Sequence, residues 1–317
     1  MLSHASRLLI AVSVLALGPP SPAISQRLVI PLAELCDDDL AAIDLHDGHV
    51  DDWLEVIGGP TLTTRDACRT YGLSYWMAYD PTDLDFRIWL AWHDATNRIY
   101  VAFERLDDRY ENDFTRTDPH GVARYMGYHD SSLELWVDGD LQSRALTTYE
   151  WAKLPMLEKA RATVRAQQAY TGLAEVFDGG PHLALRWSYT DWMLRPPYSE
   201  ASGRRSGDNP IVTVLEFCFT PFDMLLLDDP EGSQPTDLFP GKTIGLQIYV
   251  NDRDDGKLEY YSFGPPVTKF DLGPMAHGYL VGRFQAGSGL DGLAESSWAA
   301  VKHTAAPDST AAGPTQD

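Results

Sequence analysis

Cysteine is scarce: Cys36, Cys68 and Cys218 are the only three among 317 residues. An odd count leaves at least one thiol unpaired in an oxidising compartment, and no Cys-x-x-Cys or Cys/His spacing suits zinc. Basic residues are also few, 25 Lys and Arg against 46 Asp and Glu, which gives a formal net charge of −21. A surface of that sign repels phosphate backbones and sets nucleic acid aside as a partner, although it also serves plain solubility or calcium retention. GxSxG and HExxH are missing, so the serine-esterase and zinc-protease signatures are absent. Gly287-Ser288-Gly289-Leu290-Asp291-Gly292 spells GxGxxG, but no strand–turn–helix unit surrounds it and it reads as a loop. A glycoside hydrolase needs two carboxylates about 5–10 Å apart across a cleft, and nothing in the acidic residues singles out such a pair. No catalysis is expected. No internal repeat of fixed period is present.

Long apolar runs are missing as well, apart from Leu8 to Leu17, which follows Arg7 and precedes Gly18-Pro19-Pro20. That run is too short for a membrane span and has the order of a secretory signal peptide, with cleavage expected after Ser25. No cysteine stands at the cleavage point, so no lipid anchor is indicated. A secreted or periplasmic protein is therefore expected. Residues 1–25 are read as the signal peptide, 26–43 as an N-terminal edge segment, 44–304 as one β-sandwich domain, and the Ala/Thr/Pro/Asp-rich 305–317 as a disordered tail.

What the chain has in plenty is alternation. Phe86, Ile88, Leu90 and Trp92 fall on one side of a period-two pattern, with Arg87, Trp89, Ala91 and His93 on the other. After the polar Asp94-Ala95-Thr96-Asn97 the pattern resumes, Ile99, Val101 and Phe103 opposing Arg98, Tyr100, Ala102 and Glu104. A hairpin this apolar needs a second layer to cover it. Further strands are expected at Ser131–Asp138, Leu183–Tyr189 and Val212–Phe219, the last an inner strand because it is apolar on both sides except at Glu216. A second hairpin, Ile244–Val250 with Lys257–Phe263, has an acidic tip. Leu28–Leu32 is expected at an edge, since Pro31 cannot donate to a ladder. Asp47–Ile57 is expected as a turn and strand, Tyr110–His129 as a long surface loop, and Leu157–Gln168 as a helix entered through Pro155. The fold class that follows is an all-β, antiparallel sandwich, immunoglobulin-like or jelly-roll-like, with a helical or irregular insertion near 150–170.

Four pieces, in order along residues 44–300, resemble a known family. Asp47-Gly48 is followed by Asp52-Trp53; Trp92 to Asp108 contains Ile99-Tyr100-Val101-Ala102; Asp130 to Asp138 carries Glu134 and Val137-Asp138; and Ile244 to Gly256 carries Asn251-Asp252. Together they are similar to the family 9 carbohydrate-binding-module-like domain, related to the wider DOMON group. The resemblance implies a β-sandwich that binds carbohydrate without catalysis, in the company of polysaccharide degradation, and in some members a structural calcium ion. The DOMON side implies a rival role in which haem sits between Met and His, for which Met77, Met126, Met193, Met275, His93, His129 and His277 are candidates. A scaffold sandwich without ligand is the remaining alternative.

Sugars are held by an aromatic ring against their apolar face, with amides, carboxylates and guanidinium groups on the hydroxyls. The alternation gathers Arg87, Trp89, Tyr100, Glu134 and Trp136 on faces opposite the main apolar rows. They suit either a sugar-binding surface or an outer face covered by the Tyr110–His129 loop or the 150s helix. Trp187, Trp192, Arg195 and Tyr198 form a second candidate beside the proline-stiffened Pro196-Pro197, with ordinary aromatic packing as its bland reading. Trp53 and Trp92 read as core, and Cys218 as a buried small hydrophobe. For calcium, Asn251, Asp252, Asp254 and Asp255 offer oxygens within one turn, though Arg253 breaks the EF-hand order and a solvated hairpin tip fits the same residues.

Overall fold

The computed structural model describes residues 29–71, 75–76, 78, 80–111, 131–141, 153–155, 157–159, 161–162, 168–177, 180–185, 191–263 and 276–282. The signal-peptide segment, most of the 110–129 loop, Trp187 and the 305–317 tail lie outside them. The strands are β1 (Val29–Glu34), β2 (Leu62–Thr63), β3 (Cys68–Tyr71), β4 (Tyr75–Trp76), β5 (Leu84–His93) and β6 (Arg98–Asp107). Next come β7 (Ser132–Asp138), β8 (Gln168–Phe177), β9 (Gly180–Leu185), β10 (Ser199–Ser206) and β11 (Ile211–Phe219). The last are β12 (Phe222–Met224), β13 (Gln234–Pro235), β14 (Thr243–Asp254), β15 (Lys257–Ser262) and β16 (Ala276–Val281). Two short helices, α1 (Asp37–Ala42) and α2 (Asp51–Val56), precede the first hairpin.

β5 and β6 pair antiparallel along their whole length, from Leu84 opposite Asp107 to His93 opposite Arg98, as the alternation requires. β11 adds to β6 and β10 to β11, so Val212–Phe219 is indeed an inner strand. In the second layer β14 is the hub. β7 runs along one of its edges; β16 and then β15 share the other. β8 and β9 extend the layer beyond β7, and β3 and β4 extend it beyond β15. The inward rows Phe86, Ile88, Leu90, Val101 and Phe103 meet Leu133, Leu135, Ile248 and Val250 in one buried core, so two layers close over it. This is a β-sandwich.

Three local expectations change. β1 is not an edge strand: it lies between β5 and β16 and is parallel to both, so the sheet is mixed rather than purely antiparallel. Pro31 is tolerated there because pairing to β5 is confined to Ala33 and Glu34, leaving no ladder bond toward β5 for Pro31 to lose. The segment 51–56 is the helix α2, since Asp51 and Asp52 in its first turn complement the helix dipole and outweigh the alternating apolar residues. The 150s insertion is helical at 157–159 and 161–162, but Gln168 belongs to β8, its amide pinned between Thr220 O (3.0 Å) and Phe222 N (2.8 Å).

The outer face of β5, β6 and β11 carries a second core. Trp89, Ala91, Tyr100, Ala102, Val214 and Cys218 are buried beneath Leu35, Ile43, Val50 and Trp53 from the N-terminal segment. Glu216, fully buried on the same face, accepts the Trp53 indole N–H at 2.9 Å and the Gly48 backbone N–H at 3.2 Å. Gly48 has φ +70°, and a Cβ there would press on Arg204 at 2.7 Å, so glycine is needed. The Asp-Gly and Asp-Trp pieces of the motif are thus the two donors of one latch. All three cysteines are free thiols.

Phe86 is sealed among the rings of Phe103, Tyr261 and Phe263. Phe86→Ala should cost roughly 3–5 kcal/mol of unfolding free energy, read from the midpoint of urea denaturation.

Candidate functional site

Each end of the sandwich collects its own chemistry. The end of β6, the start of β5 and the tip of the β14–β15 hairpin bring Asp83, Asp107, Asp108, Asp252 and Asp254 together. The opposite end holds the 94–97 turn, the loop before β10 and the chain between β11 and β14, where aromatic rings predominate.

At the acidic end, β6 points Phe103, Arg105 and Asp107 inward in succession, and β14 does the same with Val250, Asp252 and Asp254. Arg105 is buried; its Nε donates to Asp107 Oδ2 at 2.7 Å, Nη1 to Asn251 O at 2.7 Å, and Nη2 to Asp252. One guanidinium therefore faces three carboxylates, since Asp107, Asp252 and Asp254 each place an oxygen within 4.8 Å of the others. Asp83, Asp108 and Asp254 form an overlapping triad of the same span. Burial, reinforced by Asp107 and neighbouring acids and only partly relieved by Arg105, pushes Asp252 up to about 8 and Asp254 up to about 7. Burial likewise raises Asp107, against the pull of Arg105. Beside them the Tyr261 hydroxyl is buried with no hydrogen-bond partner, and burial together with Asp252 holds its pKa well above the usual range.

The expected set Asn251, Asp252, Asp254 and Asp255 does not converge. Strand alternation sends Asn251 to the outer face, where its amide donates to Glu134 Oε1 at 2.6 Å and Ser132 Oγ at 2.9 Å. Asp255, in the tight turn with φ +50°, pairs with Arg109. Asp107, Asp83 and Asp108 take their places. A hairpin tip read alone shows only local oxygens; the partners come from β6, about 145 residues earlier, and only register reveals them. Six or more oxygens at hard-cation distances are what calcium needs, and this acid-rich, partly buried cluster fits that donor chemistry.

The first aromatic candidate is not a surface. Trp89 and Tyr100 are buried under α1 and α2, neither the 110–129 loop nor the 150s helix being needed to cover them; Trp89 Nε1 donates to Gly58 O at 3.0 Å. Glu134 and Trp136 are buried on the outer face of the other layer, so they do not join Trp89. Arg87 is partly exposed and pairs with Glu104, whose carboxyl burial raises while Arg87 opposes. These residues build the sandwich and offer no open ring face.

The second candidate is partly gathered. Trp192 lies in a short 3-10 turn, Asp191–Leu194, and its ring meets Tyr198 at 4.7 Å and Phe222 at 5.7 Å between centroids. Trp192 Nε1 donates to Leu227 O at 3.2 Å. Both Trp192 and Tyr198 are only partly buried, and Arg195 is exposed between them. The loop is stiff: Tyr198 N and Ser199 N donate to Arg195 O at 2.9 and 3.1 Å, Ser199 Oγ to Met193 O at 2.6 Å, and Arg98 reaches Pro197 O. Trp187 lies outside the described residues. Of the haem candidates described, Met193 is in the core, the His93 ring nitrogens meet Thr96 Oγ1 at 3.0 Å and an Asp37 carboxylate at 3.2 Å, and His277 lies in β16 opposite Val29 and Gly245. Met77, Met126, His129 and Met275 are outside the described residues.

Asp252 and Asp254 have folded values raised above the unfolded ones, so their stabilising contribution is full below about pH 4 and is lost as pH rises through 7 to 8. Between pH 5 and 8.5 the melting temperature of the metal-free protein should fall. Asp252→Asn and Asp254→Asn should flatten that slope, as followed by thermal melts in circular dichroism.

No family model matches the chain, and no curated protein matches it. Among solved structures it is similar to a family 9 carbohydrate-binding module of Caldicellulosiruptor kristjanssonii in complex with cellotriose, at 14% identity and TM-score 0.49, covering 82% of this chain and 96% of that one. A structure from the same organism and family, in complex with glucose, is similar at 13% identity and TM-score 0.41, covering 82% and 99%. Among the described residues no helix is long and apolar enough to cross a membrane.

Proposed function

We propose that this protein is an exported, non-catalytic carbohydrate-binding module that acts alongside polysaccharide degradation. The observation that carries this reading is the partly open Trp192–Tyr198 pair with the exposed Arg195, held on a loop that backbone hydrogen bonds keep rigid. An indole edge and a phenol ring take the apolar side of a sugar, and the guanidinium takes its hydroxyls. Rigidity matters because a ring already fixed in place loses little entropy when the ligand arrives. The motif resemblance and the likeness in fold to modules solved with cellotriose and glucose point the same way. Export rests on the signal-peptide pattern of residues 1–25.

Retention of the wild-type protein on an array of neutral glycans tests the reading. Arg195→Ala and Trp192→Phe should weaken retention roughly ten- to thirty-fold, the effect of about 1.4–2 kcal/mol lost from an anchoring contact. Thermal melts should show both variants folded. If no glycan retains the wild type, the carbohydrate reading fails.

For the acidic end we propose a structural calcium ion held by Asp107, Asp252 and Asp254 with help from Asp83 and Asp108. A bound divalent cation would neutralise the charge that burial otherwise penalises, and it competes with protons for the same carboxylates. Millimolar calcium should therefore raise the melting temperature at pH 8 and much less at pH 5, a chelator should reverse the shift, and Asp254→Asn should abolish it.

A further inference from the structure

Trp192 and Tyr198 pack on one side of the short strand β12, against Phe222. Successive strand residues face opposite ways, and the next residue, Asp223, looks toward Lys242, whose Nζ is 4.0 Å from Asp223 Oδ1. That other side of β12 belongs to neither candidate surface described above. It has a ring of its own. Phe239, half exposed at 51%, begins the turn Phe239-Pro240-Gly241-Lys242, closed by Lys242 N donating to Phe239 O at 3.1 Å. Pro240 at the second position and Gly241 at φ +87° in the third are what a type II turn requires. Lys242 Nζ stands 5.6 Å from the Phe239 ring centroid.

The turn and the chain leading into it are held from two sides. Asn97, itself at φ +51° in the first hairpin, donates through Nδ2 to Thr236 O at 2.7 Å and accepts from Leu238 N at 3.0 Å. Gly241 N donates to Leu280 O at 2.8 Å, and Leu280 N to Lys242 O at 2.9 Å, tying the turn to β16. From β16 the Tyr279 side chain, 41% exposed, brings its hydroxyl to Gly241: a Cβ on that glycine would meet nothing nearer than the Tyr279 oxygen at 3.8 Å. Two exposed aromatic side chains, Phe239 and Tyr279, therefore stand beside a glycine whose missing Cβ would make only an ordinary contact with the Tyr279 hydroxyl. Polar capacity lies alongside. The Asp223 side chain is one-third exposed; its Oδ1 is turned inward beside Thr236 and Gly139, 4.0 Å from the Lys242 ammonium.

We infer that Phe239, Lys242 and Tyr279, with Asp223, form a second sugar-binding surface on the far side of β12, one that takes a ring of a neutral polysaccharide. The inference rests on the carbohydrate-binding reading. Its chemistry is complementary to a pyranose: the two rings offer apolar faces, the ammonium donates to hydroxyls, and the carboxylate accepts from them. Nothing in the turn has to reorganise. Two separated surfaces on one module also favour polymers over short oligosaccharides, because the second contact is made at high effective concentration.

Affinity electrophoresis through gels containing mixed-linkage β-glucan, xylan, glucomannan or starch tests the assignment. The expected result is retardation of the wild type by at least one polymer, weakened about ten-fold by Phe239→Ala and by Tyr279→Ala and several-fold by Lys242→Ala. Leu54→Ala, an exposed apolar position on α2, should be retarded as the wild type, and every variant should keep its melting temperature. Unchanged retardation of the Phe239 and Tyr279 variants, with loss on Arg195→Ala, would overturn the second surface and leave the carbohydrate reading standing. Failure of every polymer to retard the wild type would overturn both.

Discussion

β1 is where the two layers are joined. Its six residues run parallel to β16 through Val29–Ala33 and pass to β5 at Ala33 and Glu34, so a single short strand carries hydrogen bonding from one layer into the other. Ile30 and Leu32 face the shared core while the strand crosses the seam. A hairpin such as β5–β6 cannot bury its apolar face alone, and a second sheet laid over it without this seam would be free to slide. The parallel join fixes the relation between layers. It thereby decides that the end of β6 and the end of β14 meet, and that their opposite ends present loops together.

From that arrangement the division of chemistry follows. Both inward rows turn from apolar to charged as they leave the core: Phe103 to Arg105 to Asp107 in β6, and Val250 to Asp252 to Asp254 in β14. Carboxylates that would be harmless on a solvated tip are brought face to face in low dielectric, and the pKa of Asp252 rises accordingly. At the other end the loop of Trp192 and Tyr198 is held by backbone hydrogen bonds and by packing of both rings on Phe222. Function on a sandwich is commonly met where a rigid frame presents loops, and here the frame supplies both the rigidity and the placement.

Much of this was legible in the chain, but only where a local pattern decides the outcome. Period two places β5 and β11 nearly to the residue, because alternation and half-burial are the same fact seen twice, whereas β6 and β14 run on through their charged ends to Asp107 and Asp254. The candidate site was harder. Trp89 and Tyr100 were rightly placed opposite the main core, yet alternation says which face a ring takes and nothing of what lies on it. The cover, α2, is a helix where the alternating apolar residues alone predict a strand. Sequence proximity offers calcium-type oxygens within one turn, whereas Asp107 joins Asp252 through tertiary register. Phe239, a lone phenylalanine before Pro-Gly, carries no periodic signal. The Pro-Gly pair does mark a type II turn, and that turn is what holds the ring out.

The latch between the N-terminal segment and Glu216 has a bearing on the order of assembly. Gly48 and Trp53 emerge during synthesis well before β11, and the carboxylate that receives them lies 163 residues beyond Trp53. Until β11 arrives, Trp89 and Tyr100 have no settled roof, and β1 must wait longer still for β16. A nascent chain of this design carries a greasy, unsealed flank through most of its elongation, and the protein becomes safe from unwanted association only once nearly its whole length is available.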